Sequence, residues 1–227
     1  MNLGVLFSGG KDSTYALFKA MEKEKVSCLI SIISKNKESY MFHTPNIEIT
    51  KLQAKAIGIP LIRKITLGKK EEELEDLKKG IKIAKEKYKI DGIVTGGVES
   101  IYQAERFQKV CNSLNLWCFN PLWLKNQKKL LEEIIKARFK VIITGIFAYP
   151  LSREWLGKEI KKETIKELVK LKEKYSLSIS GEGGEIETTV LDAPFFKKKI
   201  EILDFEIKEE GKNSGVFLIK KAILKEK

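Results

Sequence analysis

The sequence predicts an α/β protein: a five-stranded parallel sheet wound with helices on both faces, followed by a second, smaller mixed α+β domain. Three observations carry this. Short apolar runs alternate with helically spaced segments from residue 3 to about residue 119. After about Pro121 the alternation loosens and turns into a pattern of long alternating strands. The chain has 227 residues, 43% hydrophobic and 33% charged, enough for one large core or two small ones. The expected division is residues 1–122 for the first domain and 123–227 for the second.

Taken in order, Leu3 to Phe7 is an apolar run that ends in Ser-Gly-Gly, and Ala16, Leu17, Ala20 and Met21 follow at helical spacing. Val26 to Ile33 reads as a buried strand, Ile47 to Ala56 as a helix and Pro60 to Ile65 as a strand. A charged helix covers Glu71 to Tyr88, Gly92 to Thr95 is a strand, Glu99 to Leu114 a helix and Trp117 to Phe119 a fifth strand. Right-handed crossovers then make the sheet parallel, with ligands at the carboxyl ends of its strands. Beyond it come a helix near Gln127 to Arg138, a strand Lys140 to Thr144 and a helix over about Glu159 to Tyr175. Ile200 to Leu224 reads as an antiparallel hairpin turning at Gly211 to Gly215.

Composition narrows the chemistry. One histidine, His43, excludes a multi-histidine metal centre, and the three cysteines form no CxxC pair, so no zinc site or disulfide framework follows. No apolar run approaches the roughly 18 residues of a membrane span, and the first residues lack a secretory pattern, so a cytoplasmic location without membrane contact is expected. The net charge is +12, with 20 basic and 14 acidic residues up to residue 122 and 23 and 17 after it. No arm concentrates the charge, which favours a solvated lysine-rich surface over direct nucleic-acid binding.

Ser8-Gly9-Gly10-Lys11-Asp12-Ser13 follows a predicted strand and opens a predicted helix, the context of a phosphate-binding loop. Glycines let the backbone approach the anion, Lys11 adds a charge, Ser8 and Ser13 offer hydroxyls, and Asp12 is the expected ligand for Mg2+. A Walker A loop ending on Lys11 would need glycine where Val5 stands. A second feature is electrostatic: Tyr175 to Phe196 contains no lysine or arginine but holds Glu182, Glu185, Glu187 and Asp192. Carboxylates crowded on a glycine-rich loop point to a cation, whether magnesium, ammonium or a quaternary ammonium.

The loop closely resembles the pyrophosphate loop of the N-type ATP pyrophosphatases, the adenine nucleotide alpha hydrolase-like proteins of the Rossmann-like HUP class. The resemblance implies ATP as substrate, cleaved between its α and β phosphates, and AMP transfer to a carboxylate or carbonyl-like oxygen. Further strings resemble the diphthine-ammonia ligase family within that superfamily: residues 39–46, Ser100-Ile101-Tyr102-Gln103 with Arg106, Pro121-Leu122-Trp123, Trp155-Leu156-Gly157 and Gly181-Glu182-Gly183-Gly184-Glu185-Ile186-Glu187-Thr188. The sequence departs from relatives at Thr95-Gly96-Gly97-Val98 and at Ser152-Arg153. What the resemblance implies is amidation of diphthine on translation elongation factor 2 with ATP and ammonium, giving diphthamide, AMP and pyrophosphate.

On that footing Lys11, Asp12 and Glu185 are the expected catalytic residues. Ser8 to Ser13, His43 and Gly96 are the expected nucleotide contacts. Tyr102, Gln103, Arg106, Trp123, Trp155, Glu182, Glu185 and Glu187 are the expected substrate contacts, with Tyr149 a further aromatic candidate for a trimethylammonium group. Two rival functions share the loop: a tRNA-modifying pyrophosphatase and a non-enzymatic nucleotide-sensing module.

Overall fold

Alternation within a strand decides which side chains reach which face of a sheet, and here it separates two cores. In the computed structural model, which describes residues 1–36, 39, 41–42, 45–69 and 72–227, five strands form the first sheet. They are β1 (Asn2–Leu6), β2 (Lys25–Ser34), β3 (Leu61–Thr66), β4 (Gly92–Val94) and β5 (Trp117–Phe119), in the order β3-β2-β1-β4-β5, with every pairing parallel. The helices between them are α1 (Lys11–Met21), α2 (Thr50–Ile57), α3 (Glu72–Tyr88) and α4 (Ile101–Ser113). Cys28, Ile30 and Ile32 of β2 join Leu77 and Ile81 of α3 and Phe107 and Cys111 of α4 in one buried cluster. Leu29, between them, packs in the other cluster with Leu17 of α1 and Ala54 and Ile57 of α2. Successive connections step outward from β1 in one direction and from β4 in the other, so the sheet has its switch point between these two strands, where such folds bind ligands.

The second half contributes α5 (Gln127–Lys136), β6 (Lys140–Ile146), α6 (Lys162–Tyr175), β7 (Ile186–Asp192), β8 (Lys199–Gly211) and β9 (Ser214–Lys225). Its four strands form an antiparallel sheet in the order β7-β6-β9-β8. One expectation changes here. The helix expected from Glu159 starts at Lys162, because residues before it run along β6: Glu159 bridges Ile142, and Ile160 N–H bonds the Val141 carbonyl at 2.9 Å. The stretch after the acidic loop, for which the sequence pattern predicts no element, is strand β7, since Thr188, Thr189 and Val190 suit a pleated surface and pair with β6.

A single apolar cluster runs through both sheets. Leu17 and Ala20 of α1 pack in it with Leu130 and Ile134 of α5 and with Val141 and Ile143 of β6. The rings of Tyr15, Phe18, Phe139 and Phe195 lie 5.7 to 6.0 Å apart and tie α1 to the second half. Tyr15 also donates to Glu133 at 3.0 Å. Helix α1 is therefore shared, and its amino end lies where β7 passes.

Candidate functional site

Strand β1 runs out at Phe7, and the chain turns through Ser8, Gly9 and Gly10 into α1. Gly9 has φ +81°, a left-handed conformation, and a Cβ there would lie 2.3 Å from Oε1 of Gln53. The turn is braced internally: Ser13 Oγ receives the Ser8 N–H at 3.2 Å and lies 3.1 Å from Ser8 Oγ. Thr14 donates to the Gly10 carbonyl at 2.7 Å. Gly96, on the loop after β4, lies so close that a Cβ would meet Ser13 N at 2.7 Å. The two loops of the switch point thus touch through backbone, at a helix end whose first amides lack intrahelical partners.

Strand β7 crosses this loop. Val190 N–H donates to the Gly9 carbonyl at 3.0 Å, and the Lys11 N–H donates to Thr188 Oγ1 at 3.1 Å. The Lys11 side chain, only 3% exposed, turns toward the acidic segment. Its ammonium donates to Asp12 Oδ2 at 2.7 Å and to the Ser180 carbonyl. Burial works against the charge of Lys11, yet the Asp12 carboxylate, aided by Glu182 and Glu187, raises it above an ordinary lysine.

The three glutamates of the acidic segment separate by environment. Glu187 is pushed up to about 7 by burial first, with Lys11 opposing and Asp12 adding. Glu182 is pushed up to about 7 by burial and then by Asp12, although it accepts the Glu99 N–H at 3.2 Å. Glu185 instead braces its own loop, accepting the Ser178 N–H at 3.2 Å and the Gly183 N–H at 2.9 Å. Near neutral pH, then, the site holds the Lys11 cation beside two carboxyl groups poised to gain or lose protons. Among the described residues, Asp12 Oδ1 and Ser180 Oγ are buried without a hydrogen-bond partner. No group of three His, Cys, Asp or Glu side chains suited to a metal occurs among the described residues.

The remaining expected residues are spread more widely. Tyr102, Gln103 and Arg106 occupy the first turns of α4, whose cap Ser100 accepts the Gln103 N–H at 3.4 Å. The Arg106 guanidinium stacks 3.4 Å above the Tyr102 ring, so that aromatic face already carries a cation. Trp123, half-buried, lies in the turn before α5. Trp155 is 6% exposed in the apolar core, with Lys158 Nζ 4.4 Å from its ring centre. Tyr149 is 63% exposed and meets Tyr175 edge-on at 5.1 Å. His43 lies outside the described residues.

Cys28 and Cys111 are buried free thiols whose ionisation burial and, for Cys111, the neighbouring Cys118 oppose, so neither suits a nucleophile. Two open surface clefts of about 570 and 560 Å3 lie at the other end of the strands, around Met1, Lys25 and Asp91 and around Lys85, Asn112 and Trp117.

Sequence reasoning did not single out Gln53, Thr188 or Ser180. Gln53 is a fully buried amide on the inner face of α2, and Thr188 belongs to a β-branched run whose strand character was overshadowed by the adjacent glutamates.

The profile described as Diphthamide synthase N-terminal domain matches residues 1–117, and Diphthamide synthase C-terminal domain matches residues 126–224. The Diphthine--ammonia ligase of Mus musculus is 36% identical over 220 residues, covering 88% of this chain and 82% of the relative. That of Homo sapiens is 34% identical over 227 residues, covering 91% and 85%. A crystal structure described as a predicted subunit of tRNA methyltransferase from Methanocaldococcus jannaschii aligns with a TM-score of 0.47 at 20% identity, over 86% of this chain and 98% of that one. Because the two profiles account for nearly all of the sequence, and relatives above 30% identity match over most of their own length, this chain belongs to the diphthamide synthase family.

Proposed function

We propose that this chain is an ATP-dependent diphthine–ammonia ligase that amidates diphthine on translation elongation factor 2. The observation that carries the reading is the contact between its two halves: the Lys11 backbone bonds Thr188, and the Lys11 ammonium bonds Ser180, so phosphate loop and acidic strand form one site. Such a site can hold an anionic polyphosphate and a cationic acceptor side by side, which an amidation through an acyl-adenylate requires.

In the proposed reaction a carboxylate oxygen of diphthine bonds to the α-phosphorus of ATP while the bond to pyrophosphate breaks. Ammonia then adds to the acyl carbon, AMP leaves, and the nitrogen gives up a proton. The amides of Ser8 to Ser13 and the Lys11 charge stabilise the departing pyrophosphate. Glu182 and Glu187, both near 7, are the groups suited to take the proton by which ammonium becomes ammonia. Glu185 holds the acidic loop in shape and so acts on the reaction indirectly. Asp12 Oδ1, buried and without a hydrogen-bond partner among the described residues, is the atom that would hold a magnesium ion. Magnesium there would supply charge neutralisation of the polyphosphate. Trp123 and Tyr149 are the aromatic candidates for the trimethylammonium group, since Tyr102 and Trp155 are engaged elsewhere.

The test is pyrophosphate release from ATP and ammonium with and without diphthine-bearing elongation factor 2, followed by the intact mass of the factor. Factor-dependent release with a decrease of about one dalton supports the amidation. Release stimulated by bulk tRNA instead, or nucleotide binding without turnover, refutes it.

A further inference from the structure

Gln53 has no exposed surface, yet it is a primary amide in the apolar face of α2. Burying an amide costs free energy unless its donors and acceptor are matched. Both donor directions of its Nε2 are used: one hydrogen bond goes to the Gly9 carbonyl at 2.9 Å and one to the Val190 carbonyl at 2.8 Å. These carbonyls belong to the phosphate loop and to β7, so one side chain clamps the two parts of the site. Its Oε1 has no hydrogen-bond partner among the described residues and lies beside the Gly9 α-carbon. Turning the amide over would set its oxygen against two carbonyls, so the orientation is decided.

We infer that Gln53 is a positioning residue that sets the polarity of the phosphate loop. The Gly9 carbonyl accepts from Gln53 Nε2 and from Val190 N–H, which occupies both of its lone pairs. A peptide unit is planar and trans, so a carbonyl held toward α2 and β7 directs the Gly10 N–H to the opposite side. Between two glycines that peptide is otherwise free to rotate, because neither residue has a Cβ to oppose it. Rotated, it would present an oxygen where the polyphosphate needs a donor. Gln53 therefore selects the anion-accepting form of the loop before nucleotide arrives. This inference rests on the nucleotide-binding reading of the site and adds to it a residue outside the loop.

The experiment is calorimetric titration of wild-type protein and of Gln53→Met, which keeps length and removes both donors, with ATP and with adenosine. The expected result is ATP affinity weakened by about tenfold or more with adenosine affinity unchanged, since only the phosphates meet the rotated peptide. Equal losses for both ligands indicate a general packing role and overturn the inference, as does undiminished ATP binding. Wild-type protein that binds no ATP overturns the nucleotide reading itself, which distinguishes the two failures. Should Gln53→Met not fold, nuclear magnetic resonance of the wild-type side-chain amide decides the matter. Its Nε2 protons are expected to shift on addition of ATP and not of adenosine, and a signal unmoved by saturating ATP refutes the role.

Discussion

Replacing Glu187 with glutamine separates the cost of the acidic strand from its use. The carboxyl is raised from 4.5 to about 7, chiefly by burial beside Asp12 and against the pull of Lys11. A group whose folded value is raised carries a penalty that is absent below the unfolded value, grows as pH rises through the interval, and is complete above about pH 7. At about 1.4 kcal/mol per pH unit the ceiling is about 3 kcal/mol, and partial exposure reduces it to about 1–2 kcal/mol. Losing the attraction to Lys11 subtracts from the gain, but Asp12 remains paired with that ammonium. Glu187→Gln should therefore be more stable than wild type by about 1 kcal/mol at pH 8 and nearly equal to it at pH 5. Urea unfolding at both pH values, without nucleotide or divalent cation, measures this. A variant less stable at pH 8, or one shifted equally at both pH values, would refute the account of a strained carboxylate.

Three further outcomes follow from the same geometry. Lys11→Met removes the partner of Asp12 and leaves the carboxylates around it uncompensated, so pyrophosphate release should fall by orders of magnitude and urea stability by about 2 kcal/mol. Intact stability in that variant would contradict the buried pair. Thr188→Val keeps the shape of the side chain but withdraws the acceptor of the Lys11 N–H, and should cost about 1–2 kcal/mol in the same assay. Gly96→Ala places a methyl 2.7 Å from Ser13 N, so the loop after β4 must move off α1. ATP affinity, measured by titration, should drop while the amino acid composition of the phosphate loop is untouched.

Much of this architecture was legible from the chain. The first five strands and their helices follow from alternating apolar runs whose local pattern and burial agree, as at Trp117–Phe119, where the observed strand coincides with the expected one. Other parts were not legible, because nonlocal pairing decided them. Helical spacing from Glu159 lost to pairing with β6, which is available only once the second sheet exists. The aromatic residues grouped by motif diverged, with Trp155 entering the core and Tyr102 receiving Arg106, since ring orientation depends on packing that spacing does not encode.

The sequence by itself determined the ingredients of the site: a glycine turn opening a helix, one lysine and one aspartate in its first turn, and a distant run of carboxylates without basic neighbours. Local geometry is sufficient for the turn because backbone amides at a helix start face outward whatever surrounds them. Only the tertiary structure decided that the carboxylates belong to that turn. It did so by seating β7 on the phosphate loop, burying Lys11 between them and placing Gln53 across both. The physical reason is range: a helix start forms from adjacent residues, whereas the protonation of Glu182 and Glu187 depends on desolvation and on charges about 170 residues away in the chain, which exist as neighbours only in the folded molecule.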